Sequence, residues 1–251
     1  MSTPTSYQTR LIARTTIAED TVAFELERPA DFAFEAGQFV SLRLSDFALA
    51  GEDDGERMLS VASTPHESRL IFAMRMRDTP FKRQLAACDI GTTFLLSPAM
   101  GDFVLPDDPT TPIVMIAGGI GITPFYSMLN TLRHRAEQGL VVPPVTLVYG
   151  NRTPAAASWR EALEQLTQTL ANFQLVHVYG DGEAWTSSEL DANPRIRGGL
   201  ITADVIKEID GWRESQYFVV GPVAMVAVMQ DCLDDCGVPP GHVTIEFFAG
   251  Y

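Results

Sequence analysis

Apolar and polar residues alternate, or nearly so, through four short runs early in the chain, at residues 11–13, 21–26, 38–44 and 70–74. Pro, Gly and Asp turns separate them, and this spacing predicts an antiparallel barrel or sandwich rather than a helical domain. One short helical stretch, residues 79–88, interrupts the strands. Residues 106–112 then place three prolines in seven positions, which predicts a stiff, extended linker. Beyond it the pattern changes. Largely apolar runs at 113–117, 145–149, 173–179 and 217–220 read as strands, the first of them of a buried type. Helical periodicity follows through Arg135, from about Ala156 to Leu170, near 203–208 and at 225–235. Strands alternating with helices predict a parallel, doubly wound α/β sheet. The chain therefore reads as two domains, with no internal repeat.

Composition agrees with folded domains: 251 residues with 46% hydrophobic content can fill a core. Residues 1–10 are polar and lack the apolar stretch of a secretory signal, and no apolar run approaches the ~20 residues needed to span a bilayer. A soluble, cytoplasmic protein is expected. Cys88, Cys232 and Cys236 form no even disulfide framework, which suits a reducing compartment. A zinc site from Cys232, Cys236 and His242 lacks a fourth placed ligand, so free thiols and no metal are expected. Three cysteines also fall short of the four that a built-in iron–sulfur cluster ordinarily takes.

The net charge of −14 argues against non-specific nucleic-acid binding. Its distribution says more than its total. Arg57, Arg69, Arg75, Arg77, Lys82 and Arg83 are one third of the 18 basic residues and face only Glu67 and Asp78 in that stretch. Either a phosphorylated ligand or a solvated strand face would account for such an island.

Three segments carry candidate chemistry. Ala117-Gly118-Gly119-Ile120-Gly121-Ile122-Thr123-Pro124 directly follows the first α/β strand. Its glycines let backbone approach a ligand, Thr123 is a natural N-cap and Pro124 suits a first helical turn. The helix that follows would point its positive end at a pyrophosphate, although a tight connection would look the same. Val220-Gly221-Pro222-Val223-Ala224-Met225 ends the last buried-type strand, at an edge where such sheets bind ligands. Arg57-Met58-Leu59-Ser60, in the barrel, offers guanidinium donors for a phosphate and a hydroxyl for a ring nitrogen or carbonyl.

The order of these segments resembles the ferredoxin–NADP⁺ reductase superfamily, from Gly37-Gln38-Phe39-Val40 to the C-terminus. Leu95-Leu96-Ser97-Pro98-Ala99-Met100-Gly101-Asp102-Phe103 is similar to the family's Gly-Pro-x-Gly-x-Phe segment. The resemblance implies a Greek-key, flavin-binding β-barrel over residues 1–106 and an NAD(P)-binding α/β domain over 107–251. It implies that Arg57 grips a flavin phosphate and that Ser60 hydrogen-bonds near flavin N5, with Met58 and Leu59 beside them. Leu59 stands where the family usually has a ring-packing tyrosine. Met74, Arg75 and Met76, with Arg77, resemble the strand lining an FAD pyrophosphate, and Thr79, Phe81 and Lys82 open the short helix facing it; FAD is favoured over FMN. Gly118, Gly119, Gly121, Ile122, Thr123 and Pro124 would cradle the nicotinamide nucleotide, and Gly221, Pro222 and Met225 would border its nicotinamide end. Val220 replaces a cysteine that many relatives carry. Arg152 is similar to a strand-end arginine near the dinucleotide phosphates; with Arg195 and Arg197 as further sources of charge, the choice leans to NADP over NAD. Phe248 or Tyr251 would lie on the flavin face, with Glu246 the nearby carboxylate.

The implied activity is hydride transfer between NAD(P)H and flavin N5, with Ser60 and Glu246 tuning that position, and electron delivery to a ferredoxin, a flavodoxin or another acceptor. An electron-transfer subunit of an oxygenase or larger reductase is the second expectation, and a non-catalytic nucleotide-binding module the third. The acidic charge suits an acidic ferredoxin poorly unless a basic patch faces it. His66, His134, His177 and His242 are scattered and read as structural.

Overall fold

The computed structural model describes residues 6–44, 55–180 and 195–248. Six strands come first: β1 (Tyr7–Ala18), β2 (Thr21–Glu27), β3 (Phe39–Leu44), β4 (Glu56–Ser60), β5 (Arg69–Arg75) and β6 (Thr93–Leu96). They form an antiparallel sheet in the order β4-β3-β6-β1-β2-β5. β1 is far longer than its short apolar run suggests. Its first residues pair with β6 and the rest with β2, and register shifts at Leu11/Ala13 and Thr16/Ala18 bend it between the two. The edge strands meet where the Ala62 amide, just past β4, donates to the Ile71 carbonyl of β5 at 2.8 Å. A core including Leu11, Phe24, Phe72 and Phe94 fills the interior. Helix α1 (Pro80–Ala87) caps it, with Thr79 as N-cap and Phe81 and Leu85 buried.

The second half contains β7 (Ile113–Gly118), α2 (Ile122–Glu137), β8 (Val145–Asn151), α3 (Arg160–Thr169), β9 (Phe173–Tyr179) and β10 (Ile196–Gly198). Then come α4 (Ala203–Lys207), β11 (Gln216–Pro222), α5 (Val223–Asp235) and β12 (Val243–Phe248). All six strands pair in parallel, in the order β10-β9-β8-β7-β11-β12. β7 is buried along its whole length, as a central strand covered on both faces must be. One core packs α2 and α3 on one face, and a second packs α4 and α5 on the other. The chain runs from β7 outward to β10, then returns to the other side of β7 for β11. The switch point therefore lies between β7 and β11.

Several local expectations change. α2 begins at Ile122 without a side-chain cap, because a 3₁₀ turn (Gly119–Gly121) runs straight into it. Thr123 is thus inside the helix, and its hydroxyl donates to the Ile120 carbonyl at 3.1 Å. α3 starts at Arg160 rather than near Ala156, because a separate 3₁₀ turn capped by Thr153 and a left-handed Trp159 (φ 52°) precede it. The proline-rich linker carries neither helix nor strand.

The two sheets join through a dry, hydrogen-bonded seam. Ser127 on α2, wholly buried, donates to the Ser63 carbonyl at 2.6 Å, and the Ser63 hydroxyl accepts from the Ile71 amide at 3.1 Å. Around it, Ala62, Ile71 and Ala73 of the barrel pack with Ile120, Tyr126, Trp159 and Phe248. The Trp159 and Tyr126 rings stack at 4.3 Å. Phe103, at the end of the barrel segment, inserts edge-on against Phe218 in the α/β core at 5.3 Å. Replacing Ser127 with Ala leaves the Ser63 carbonyl buried without that donor. The expected loss is about 1–3 kcal/mol in urea unfolding. A change below about 0.5 kcal/mol, the range of an ordinary surface substitution, would show that the bond carries no stability.

Candidate functional site

A cleft of about 520 Å³ opens over the switch point, between the C-terminal ends of the parallel strands and one end of the barrel. The ends of β7 and β11 supply Gly118, Gly119, Gly221 and Pro222, with Met225 from α5 and Phe248 from β12. The barrel supplies Glu19, Thr21, Arg75 and Arg77. Its lining is mainly apolar, with arginines at the margin.

The glycines of the first turn do different jobs. A Cβ on Gly118 would overlap the Met225 sulfur, and one on Gly121 would strike the Val220 carbonyl. Both are glycine because β7, β11 and α5 pack against them. Gly119 is different: φ is +55°, and a Cβ there would meet nothing within 4 Å. Its conformation is left-handed and its surface faces the cleft. The side chains of Ile122, Thr123 and Pro124 are buried in α2 and do not line the cleft.

On the barrel, the basic island converges on α1. Lys82 donates to the Arg75 carbonyl at 2.7 Å, and the Arg57 guanidinium lies 4.5 Å from the centre of the Phe81 ring. Burial lowers the Lys82 pKa, and the charges of Arg77, Arg57 and Arg75 lower it further. Four cations thus crowd a helix N-terminus, which favours an anion there. Met74 sits in the barrel core and Met76 packs against it. Leu59 also packs against that core, whereas Met58 is 62% exposed.

Ser60 ends β4 at 4% exposure, and its hydroxyl has no hydrogen-bond partner among the described residues. Glu246 pairs in register with Val220 beside the Gly221-Pro222 edge. Its Oε2 is likewise buried without a partner among the described residues, and burial raises its pKa to about 7. Neither Ser60 nor Glu246 is among the residues lining the cleft. Tyr251 lies outside the described residues.

The second-domain arginines separate. Arg152 lines the cleft. Arg197 instead pairs with Glu208 at 3.0 Å, and Arg195 donates to Thr167 at 3.2 Å, so neither is among the lining residues. Motif reading missed Asn151 and Ser158, which line the cleft and are nearly buried. The position of Asn151 at the end of β8, one strand from the glycine turn, was the available signal. Among the described residues no group of three or more His, Cys, Asp or Glu is gathered to hold a metal, and no helix is long and apolar enough to cross a membrane. His177 is buried between Tyr149 and Tyr179, and burial lowers its pKa to about 4.

A barrel joined to a parallel sheet, with a cleft at the switch point between them, defines a two-domain architecture. Residues 115–231 match the oxidoreductase NAD-binding domain family. The chain is 34% identical over 158 residues to a flavohemoprotein of Bacillus cereus, covering 63% of this chain and 38% of that protein. It is 25% identical over 247 residues to the reductase component of propane 2-monooxygenase from Mycolicibacterium goodii, covering 96% of this chain and 67% of that one. The ferredoxin–NADP⁺ reductase of Neisseria gonorrhoeae, solved with FAD and NADP, superposes with a TM-score of 0.75 at 24% identity, covering 98% of this chain and 99% of that one. Residues 115–231 thus match an oxidoreductase NAD-binding domain, and the whole chain shares the two-domain fold of that ferredoxin–NADP⁺ reductase.

Glu246 gives a pH prediction. Its folded-state pKa lies above its ordinary value, so its contribution to stability is full at low pH and is lost as pH rises through about 7. Between pH 5 and 8, wild type should lose stability relative to Glu246→Gln, by no more than ~3 kcal/mol. Urea unfolding of both proteins at the two pH values measures this. Parallel stabilities would refute a buried, protonated Glu246.

Proposed function

We propose that the chain is an NAD(P)H-dependent flavin reductase that holds FAD against the barrel and a nicotinamide dinucleotide against the parallel sheet, and delivers electrons to a separate acceptor. One observation carries the reading. The cleft is walled on one side by the barrel's Arg75 and Arg77 and on the other by the Gly118–Gly119 turn, so two ligands can meet in it. On this reading residues 1–106 form the flavin domain and 107–251 the dinucleotide domain.

Bound flavin supplies a hydride acceptor at N5 that can pass its electrons on. The protein's part is placement and proton control. Arg57, Arg75, Arg77 and Lys82 hold the FAD pyrophosphate at the N-terminus of α1, which is why FAD is favoured over FMN. The unmatched Ser60 hydroxyl hydrogen-bonds the flavin ring edge near N5. Glu246, poised near neutrality, keeps a proton available beside it. Phe248 covers one ring face, a place Tyr251 could share, while Gly118, Gly119, Gly221, Pro222 and Met225 border the nicotinamide nucleotide. A preference for NADP rests on Arg152, since Arg195 and Arg197 have partners elsewhere.

The acceptor is read as a protein. The relative from M. goodii is a reductase component of a monooxygenase, which favours an oxygenase partner over a free acidic ferredoxin. The net charge of −14 points the same way.

The absorption spectrum before and after anaerobic NADPH or NADH is the direct test. A yellow protein bleached by either is expected; a colourless protein that FAD cannot reconstitute would sink the reading in favour of a non-catalytic module. Arg57→Ala should raise the FAD dissociation constant by about tenfold or more, the equivalent of ~1.4 kcal/mol, and unchanged affinity would remove its phosphate role. Arg152→Ala should weaken NADPH by about tenfold and NADH far less, read by titration of the oxidised protein. Equal losses would assign Arg152 to the pyrophosphate instead.

A further inference from the structure

Tyr149 opens the Tyr149-Gly150-Asn151-Arg152 segment, but only Arg152 of that segment was expected to meet a ligand. It stands in β8 with its side chain wholly buried in the core beneath α2 and α3. Its hydroxyl nevertheless reaches two cleft walls at once. It donates to the Gly119 carbonyl at 3.1 Å and accepts from the Ser158 amide at 3.0 Å. Gly119 belongs to the turn after β7, Ser158 to the loop before α3, and both line the cleft. One oxygen thus braces two segments that are far apart in sequence. Burial raises the phenol's pKa well above its ordinary value, so the donated proton is present throughout the neutral range.

The Gly119 carbonyl is held from two sides, by the Tyr149 hydroxyl and by the Ile122 amide that closes the 3₁₀ turn. In a planar trans peptide the C=O and N–H point opposite ways, and the described chain has no cis peptide. The carbonyl of the Gly119–Ile120 peptide turns inward to Tyr149. The Ile120 amide of the same peptide therefore turns outward, toward the cleft that Gly119 and Ile120 line. The N-terminus of α2 follows two residues later and adds its positive end. An outward N–H beside a helix start matches an anion that only accepts hydrogen bonds, and a pyrophosphate is that anion in a dinucleotide.

We propose that Tyr149 is a positioning residue of the dinucleotide site: its hydroxyl braces the Gly119 turn and the Ser158 loop so that the Ile120 amide donates to the pyrophosphate of the nicotinamide dinucleotide. The proposal rests on the dinucleotide reading above and deepens it. Nothing in it requires Tyr149 to touch the ligand. Its effect should therefore follow the ligand's pyrophosphate and not its adenine.

Tyr149→Phe removes one oxygen and keeps the ring. Calorimetry on the flavin-loaded protein would compare ADP-ribose, which has the pyrophosphate, with AMP, which lacks it. The expected result is a rise of about tenfold in the ADP-ribose dissociation constant with AMP near wild type and flavin content unchanged. Unchanged ADP-ribose affinity, or equal losses for the two ligands, would overturn the positioning role. If Tyr149→Phe does not yield flavin-loaded protein, Gly119→Ala strains the same turn from its open side. It should show the same selective loss, and the absence of that loss would likewise overturn the proposal. Wild-type protein that binds neither ligand would remove the dinucleotide reading itself, an outcome distinct from failure of the Tyr149 variant alone.

Discussion

The buried hydrogen bond from Ser127 to the Ser63 carbonyl ties α2 to the barrel, with residues of both candidate sites a few positions away along the chain. Ser63 lies three residues beyond Ser60, and Ser127 lies one helix turn beyond Thr123. The same bond therefore locates the orphaned serine of the barrel and the glycine turn of the parallel sheet relative to each other. The apolar seam around it excludes water, which makes an unmatched carbonyl there costly. A reaction between two bound ring systems needs this sort of rigidity, because orientation lost between domains is lost from the reacting geometry.

Desolvation is the common electrostatic theme. It is the largest cause of the displaced pKa values of Lys82, Glu246 and His177. At Lys82 neighbouring cations add to it, so the basic cluster is held together against its own repulsion by the fold. Such a site gains when an anion arrives. Glu246 shows the complementary case, a carboxyl whose pKa burial raises to about 7. An acidic chain thus keeps a cationic pocket in one domain and a protonatable carboxyl in the other.

Much of the architecture was legible because its physics is local. The largely apolar runs that became β7, β8, β9 and β11 are too short for core helices and read as covered strands, and Thr79-Pro80 announces α1 by its capping chemistry. β1 was underestimated because much of its length is exposed and its pairing is shared between two partners. Site reading failed where tertiary contacts decide. Thr123 looked like a cap until a 3₁₀ turn ran into its helix, and Arg195 and Arg197 looked available until Thr167 and Glu208 engaged them. Asn151 was passed over beside Arg152 and Ser158 lies in no motif; only their place on the cleft wall gives them meaning.

The unequal glycines of the first turn bear on how such sequences drift. Gly118 and Gly121 are fixed by the packing of strand ends, so a descendant would be obliged to keep them whether or not anything binds beside them. Gly119 is under no such steric hold; its left-handed backbone tolerates asparagine or aspartate once no ligand lies against it. In a lineage of these domains, the middle glycine is the one whose loss records a change of trade.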